Sequence, residues 1–160
     1  MNFAEPVLKL VEERLSKINT LAIGTLTKVD LSKWRADVRL KTKIQGQNIE
    51  IANVPIALQM FTAGSLQIAP AVGDVVIIGV SKHEIQKQLR NRDVVEANEQ
   101  VLYNINHAVI LSGGYVESDA VPSVAANEIL IQHSSGTSIR FKANGDLDIT
   151  ASHINWIKKT

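Results

Sequence analysis

From Trp34 to Ile44 the side chains alternate without interruption: Trp34, Ala36, Val38, Leu40, Thr42 and Ile44 fall between Arg35, Asp37, Arg39, Lys41 and Lys43. Successive strand residues point to opposite faces, so this pattern demands a strand with one dry and one wet side, and a sheet to put it in. Gly46 within Gln45 to Asn48 supplies a turn. Ile49, Ile51 and the Val54-Pro55 pair then return, so residues 33–54 read as a hairpin. Gly73-Asp74 is a second turn, followed by the unbroken apolar run Val75 to Val80 that fits a central, buried strand, and Ala108 to Leu111 is a further short strand ending at Gly113-Gly114. Helical spacing is clearest at the start: Val7, Leu8, Val11, Leu15 and Ile18 form one stripe over residues 6–18, with Pro6 tolerated in the first turn and Glu13 placed to pair with Lys17. So short a helix is not stable alone and is expected to dock on the β domain or on a neighbouring subunit. Residues 83–100 are polar and charged and read as a surface helix or loop.

Composition narrows the chemistry. With 17 Lys and Arg against 16 Asp and Glu over 160 residues, the formal charge is +1, so no global field gathers polyanions. The absence of cysteine removes disulfides, thiolate metal sites and thiol nucleophiles. Met1 to Leu10 lacks the basic start and apolar run of a secretory signal, and Val75 to Val80 falls far short of the ~20 residues of a membrane-spanning helix; a chain made as a soluble protein is expected. No paired carboxylates, Ser/His/Asp set or phosphate loop stands out. Ser112-Gly113-Gly114 and Gly136-Thr137 lack the glycine-lysine sequence that cradles phosphate, so no enzymatic activity and no small-molecule substrate are expected.

Ser118 to Ala126, with Pro122 and many small residues, has no period and reads as a boundary. Beyond it the pattern becomes short alternating segments cut by turns: Glu128 to Gln132, then Ser135-Gly136, Thr137 to Lys142, Asn144-Gly145, and Asp146 to Thr150. Ile129, Ile131, Ile139, Phe141, Leu147 and Ile149 fall on one face, with Gln132, Arg140, Lys142, Asp146, Asp148 and Thr150 on the other. Burying so few apolar side chains does not offset the conformational entropy lost in ordering about thirty residues. The segment therefore either packs as an extra sheet on the first domain or wraps with two further copies around a common axis. The regular Gly-turned strands with a strict inside and outside favour wrapping.

In Pro70-Ala71-Val72-Gly73-Asp74-Val75-Val76, and in the rungs of Asn127 to Ala151 with Ser134-Ser135-Gly136-Thr137 and Asn144-Gly145-Asp146-Leu147, the chain resembles the central spike of contractile-tailed phages and related injection machines, the membrane-puncturing spikes akin to baseplate assembly protein V. The resemblance is architectural and covers nearly the whole chain. It implies a mainly β protein: an N-terminal helix (1–18), an oligosaccharide/oligonucleotide-binding (OB) barrel (19–117), a linker (118–126) and a short intertwined trimeric β-helix (127–160). It further implies a homotrimer at the virion tail tip, assembled in the bacterial host cytoplasm. The barrel would attach to tail hub or baseplate proteins and the β-helix would point at the outer membrane. The expected trimer core is Ile129, Ile131, Ile139, Phe141, Leu147 and Ile149, closed toward the tip by Trp156. Many relatives end in a His-x-His pair that holds iron across three chains. Here Ser152-His153-Ile154-Asn155 carries one His, so no cofactor is expected, and three copies of His153 are the sole candidate for a tip metal. His83, His107 and His133 stand alone and are expected to make ordinary hydrogen bonds.

The alternative is an OB module for single-stranded nucleic acid or another ligand. Arg35, Arg39, Lys41 and Lys43 could follow a phosphate backbone. The chain holds only two Trp, two Tyr and three Phe, however, and Trp34 sits on the apolar side of its strand, so stacking platforms are missing. No nucleic-acid partner is expected; the face reads as solvated or as a docking surface for the hub.

Overall fold

The computed structural model describes residues 5, 7–9, 20–90, 92–96 and 102–156. The helix expected over 6–18 lies outside them except at 7–9, which are helical. The chain divides into two compact units, Met1–Glu117 and Ser118–Thr160.

The first unit is built on β1 (Leu21–Asp30), β2 (Arg35–Leu40), β3 (Glu50–Pro55), β6 (Val75–Val80) and β7 (Ala108–Gly113), with a small hairpin of β4 (Gln59–Phe61) and β5 (Gly64–Leu66) inserted between β3 and β6. The main sheet runs β3-β2-β1-β6-β7, antiparallel at every step. The long strand β1 serves two neighbours: Leu21 to Thr25 pair with β6, and Gly24 to Asp30 pair with β2. Three register breaks bend the sheet, between Leu26 and Lys28, between Ala36 and Val38, and between Ile77 and Ile78. Bulges of this kind sharpen the local twist. The sheet curls into a half-barrel until its two outer strands meet in a parallel bridge from Ile56 to Ile110, with Ala57 N–H donating to the Ile110 carbonyl at 2.8 Å.

The alternation read in β2 fills the concave side: Ala36, Val38 and Leu40 are buried beside Leu26, Ile51, Val54, Val76, Ile78, Ala108 and Ile110. The strand is shorter than its pattern. Trp34 has φ 50 and stands before it, and Lys41 to Lys43 lie beyond its end. Gly24 is required where β1 and β2 converge, because a Cβ there would overlap Val38 Cγ1 and lie 3.0 Å from the Arg39 carbonyl. The Gly73-Asp74 turn is tied down at three points: Gly73 N–H donates to the Leu26 carbonyl, Leu26 N–H to the Asp74 carbonyl, and Ala71 N–H to the Asp74 carboxylate at 2.8 Å. Its φ of 98 suits glycine. Val75 to Val80 is a central strand as expected, with Val76 and Ile78 inward and Ile77 outward. In the polar stretch 83–100, Ile85–Gln88 forms one helical turn. His107 is buried, and the Nδ1 atoms of His83 and His107 have no hydrogen-bond partner among the described residues; His133 pairs with Ser135 Oγ at 2.8 Å.

The second unit is an antiparallel meander of β8 (Ile129–Gln132), β9 (Ser138–Phe141) and β10 (Leu147–Thr150), with β9 in the middle. Its two turns share one design. His133 N–H donates to the Thr137 carbonyl and Gly136 N–H to the His133 carbonyl; Lys142 N–H donates to the Asp146 carbonyl and Gly145 N–H to the Lys142 carbonyl. Gly136 and Gly145 take φ 88 and 92, the left-handed position these hairpin loops need.

Candidate assembly surface

Register decides which side chains of the meander share a face. Ile129 stands opposite Phe141, which stands opposite Leu147; Ile131 stands opposite Ile139, which stands opposite Ile149. Directly opposed residues point the same way. The six residues proposed from alternation therefore form two cross-strand rows on one face of the sheet. In the single chain that face is bare, with exposures from 38% at Ile139 to 62% at Ile129. No residue of 118–156 is buried.

The opposite face is anchored. Leu130, Arg140 and Asp148 make its central row. Arg140 donates to Glu128 Oε2 at 2.7 Å and to the Ser123 carbonyl at 3.0 Å, drawing the segment before β8 against this side. Glu128 is the better shielded partner, its side chain only 14% exposed, so the ion pair is worth more than a fully solvated one. Lys142 meets Asp148 at 2.7 Å. The hydrogen bond the lysine donates to that carboxylate, with the carboxylate's charge, holds the lysine above its ordinary range. Sequence alternation located the apolar rows but gave no sign that Arg140 reaches back to Ser123, and Leu130, on the polar side, was not distinguished by it.

Trp156 is 87% exposed and Ile154 43%. His153 Nε2 pairs with Asn155 Oδ1 at 2.9 Å, and among the described residues no group of three potential metal ligands comes together.

The basic face of β2 is largely engaged within the chain. Asn53, with φ 58, occupies the bulge of β3; its N–H donates to Asp37 Oδ1 at 2.7 Å and its carbonyl accepts from Arg35 at 2.8 Å. Arg39 lies 3.6 Å from Glu50, which also accepts from Thr27 Oγ1 at 2.6 Å. Arg35 and Arg39 thus clamp β3 to β2, while Lys41 and Lys43 stand beyond the strand. No protein-family model matches this sequence, and no curated protein matches it significantly.

Proposed function

We propose that the protein is the structural spike of a contractile tail or related injection machine, a homotrimer that pierces a bacterial outer membrane. The observation that carries this reading is the bare apolar face of Ile129, Ile131, Ile139, Phe141, Leu147 and Ile149, whose reverse is held by the chain's own Arg140. A sheet with only one free apolar side needs one covering, and three copies turning that side to a common axis as a β-helix cover it symmetrically. Trp156 would close the interior toward the tip.

The first unit is read as an OB barrel. Its support is the strand order β3-β2-β1-β6-β7, the double use of β1, and the parallel Ile56–Ile110 bridge that brings the outer strands together in a partly open five-stranded barrel. In this reading the barrel attaches to hub or baseplate proteins. The role is mechanical: the sheath drives the trimer axially, and stiffness comes from hydrogen-bonded strands around a packed interior. No catalytic group, cofactor or metal is required, and the working location is the tail tip, reached after assembly in the host cytoplasm.

Light scattering of the full chain at micromolar concentration tests this. A mass three times 17.5 kDa is expected. A monomer at that concentration sinks the spike reading.

A further inference from the structure

Between Glu50 and Asp74 the sequence has no charged residue, in a chain that is 21% charged. The structure folds the middle of this stretch into the β4–β5 hairpin, whose two-residue loop, Thr62-Ala63, leaves Phe61 opposite Gly64. A glycine partner gives the ring nothing to lie against, and Phe61 is 82% exposed, with Met60 at 62% and Ile68 at 78%. Phe61 and Met60, consecutive in β4, present bare apolar side chains on opposite faces of the hairpin.

The same unit holds a receptor of matching chemistry. A cavity of about 310 Å³ opens beside the hairpin's root, lined mainly by Trp34, Ile56, Leu58, Ile68, Ile110 and Leu111. Phe61 is not among its lining residues, so the ring does not fill the cavity of its own chain. An apolar cavity of about 150 Å³ already accepts benzene. The room here is sufficient for a phenyl ring.

We propose that Phe61 of one copy plugs this cavity in a neighbouring copy, making the first unit a self-association module separate from the C-terminal sheet. The exposed ring and the apolar cavity lie in the same unit, so every copy carries both halves of the contact. A knob and a hole on one subunit can be matched reciprocally about a two-fold axis or head to tail around a ring. Charge argues for a protein occupant over lipid: membrane-inserting fingers carry Lys or Arg to meet headgroups, and this stretch carries none.

The test replaces Phe61 with the photo-cross-linker p-benzoylphenylalanine in the full chain and irradiates a mixture of unlabelled and ¹⁵N-labelled protein. Cross-links joining unlabelled to labelled chains at 56–58 or 110–111 are expected. Links only within one chain, no links, or capture of lipid from phosphatidylglycerol vesicles would overturn the inference. Phe61→Asp, on a solvated hairpin, is expected to keep the circular dichroism of the parent and to raise the dissociation constant about tenfold or more; unchanged association of a folded Phe61→Asp protein counts against the plug. A trimer without interchain links at position 61 overturns this inference and leaves the spike reading standing. Interchain links that persist when Phe141→Ala has removed the C-terminal contact sustain it without that reading.

Discussion

The two units solve the problem of burial in opposite ways. The curled sheet of the first unit turns Val38, Ile78 and Leu26 toward one another until all three are at most 1% exposed, and it does so within one chain. The C-terminal meander has unbroken register, equally regular turns and just as strict an alternation, yet it buries no residue. What separates them is curvature. Three bulges and the doubly used β1 let the larger sheet face itself, whereas three strands of four residues each have no such means. In the single chain the apolar side of the meander stays bare, and that of the first unit does not.

That contrast can be broken most forcefully at Phe141. Phe141→Ala is expected to cost about 3–5 kcal/mol in each chain of an assembled trimer, so melting should shift strongly and depend on protein concentration, with monomers or frayed C-termini in sedimentation; a small, concentration-independent shift would show that the meander is self-sufficient. Ile78→Ala probes the other side of the comparison. About 2–5 kcal/mol should be lost from the first unit, measured by denaturant unfolding, with a midpoint that does not move on dilution. If dilution does move it, the first unit depends on a neighbour for its core.

Arg140→Ala sharpens the contrast at an intermediate level. It removes two hydrogen bonds and strands a shielded Glu128 carboxylate, a loss of about 1–3 kcal/mol, and should appear as faster amide exchange around Ser123 and Glu128. An unchanged exchange pattern would mean that the second face is not anchored as described. The smallest effect belongs to Lys142→Ala, whose exposed ion pair with Asp148 is screened by solvent. Because its folded pKa is raised by Asp148, the contribution is complete below the ordinary lysine range and is lost as pH rises through the raised value. Asp30 titrates in the other direction. The hydrogen bond from Ser32 Oγ holds its carboxyl below the usual range, so its contribution is complete above that range and disappears as pH falls through the lowered value. NMR titration of the parent and of Lys142→Ala should show an alkaline response at the meander that the variant lacks, and an acid response at the 30–33 turn that both retain.

Strict alternation made the three strands of the meander and their shared apolar face legible from sequence, because a period of two fixes which side chains point the same way, but their antiparallel pairing around β9 was not legible. The β2–β3 hairpin was legible for the same reason, but its ends were not: Trp34 continues the apolar series yet adopts a left-handed backbone, and Lys41 to Lys43 continue the charged series past the last pairing. Alternation records which way a side chain would point in a strand, not whether a partner strand is there to receive it. The extra residue at Asn53 and the roles of Arg35 and Asp37 in holding it are set by contacts between residues far apart in sequence. Nothing local announces them. The β4–β5 hairpin escaped sequence reading because its residues are neither periodic nor charged, and a run such as Leu58 to Leu66 fits core, turn or surface equally well.

The core of the first unit is complete by Ile110, and the apolar rows of the meander begin only at Ile129. On the ribosome the stretch that forms the curled sheet therefore emerges whole before the apolar face exists. Domains fold as units during synthesis, N-terminal ones first, so the face enters solution already joined to a folded body. For the proposed trimer, the interval in which it meets nonspecific partners would be set by how quickly sister chains are found, tying the yield of assembly to local synthesis from one message.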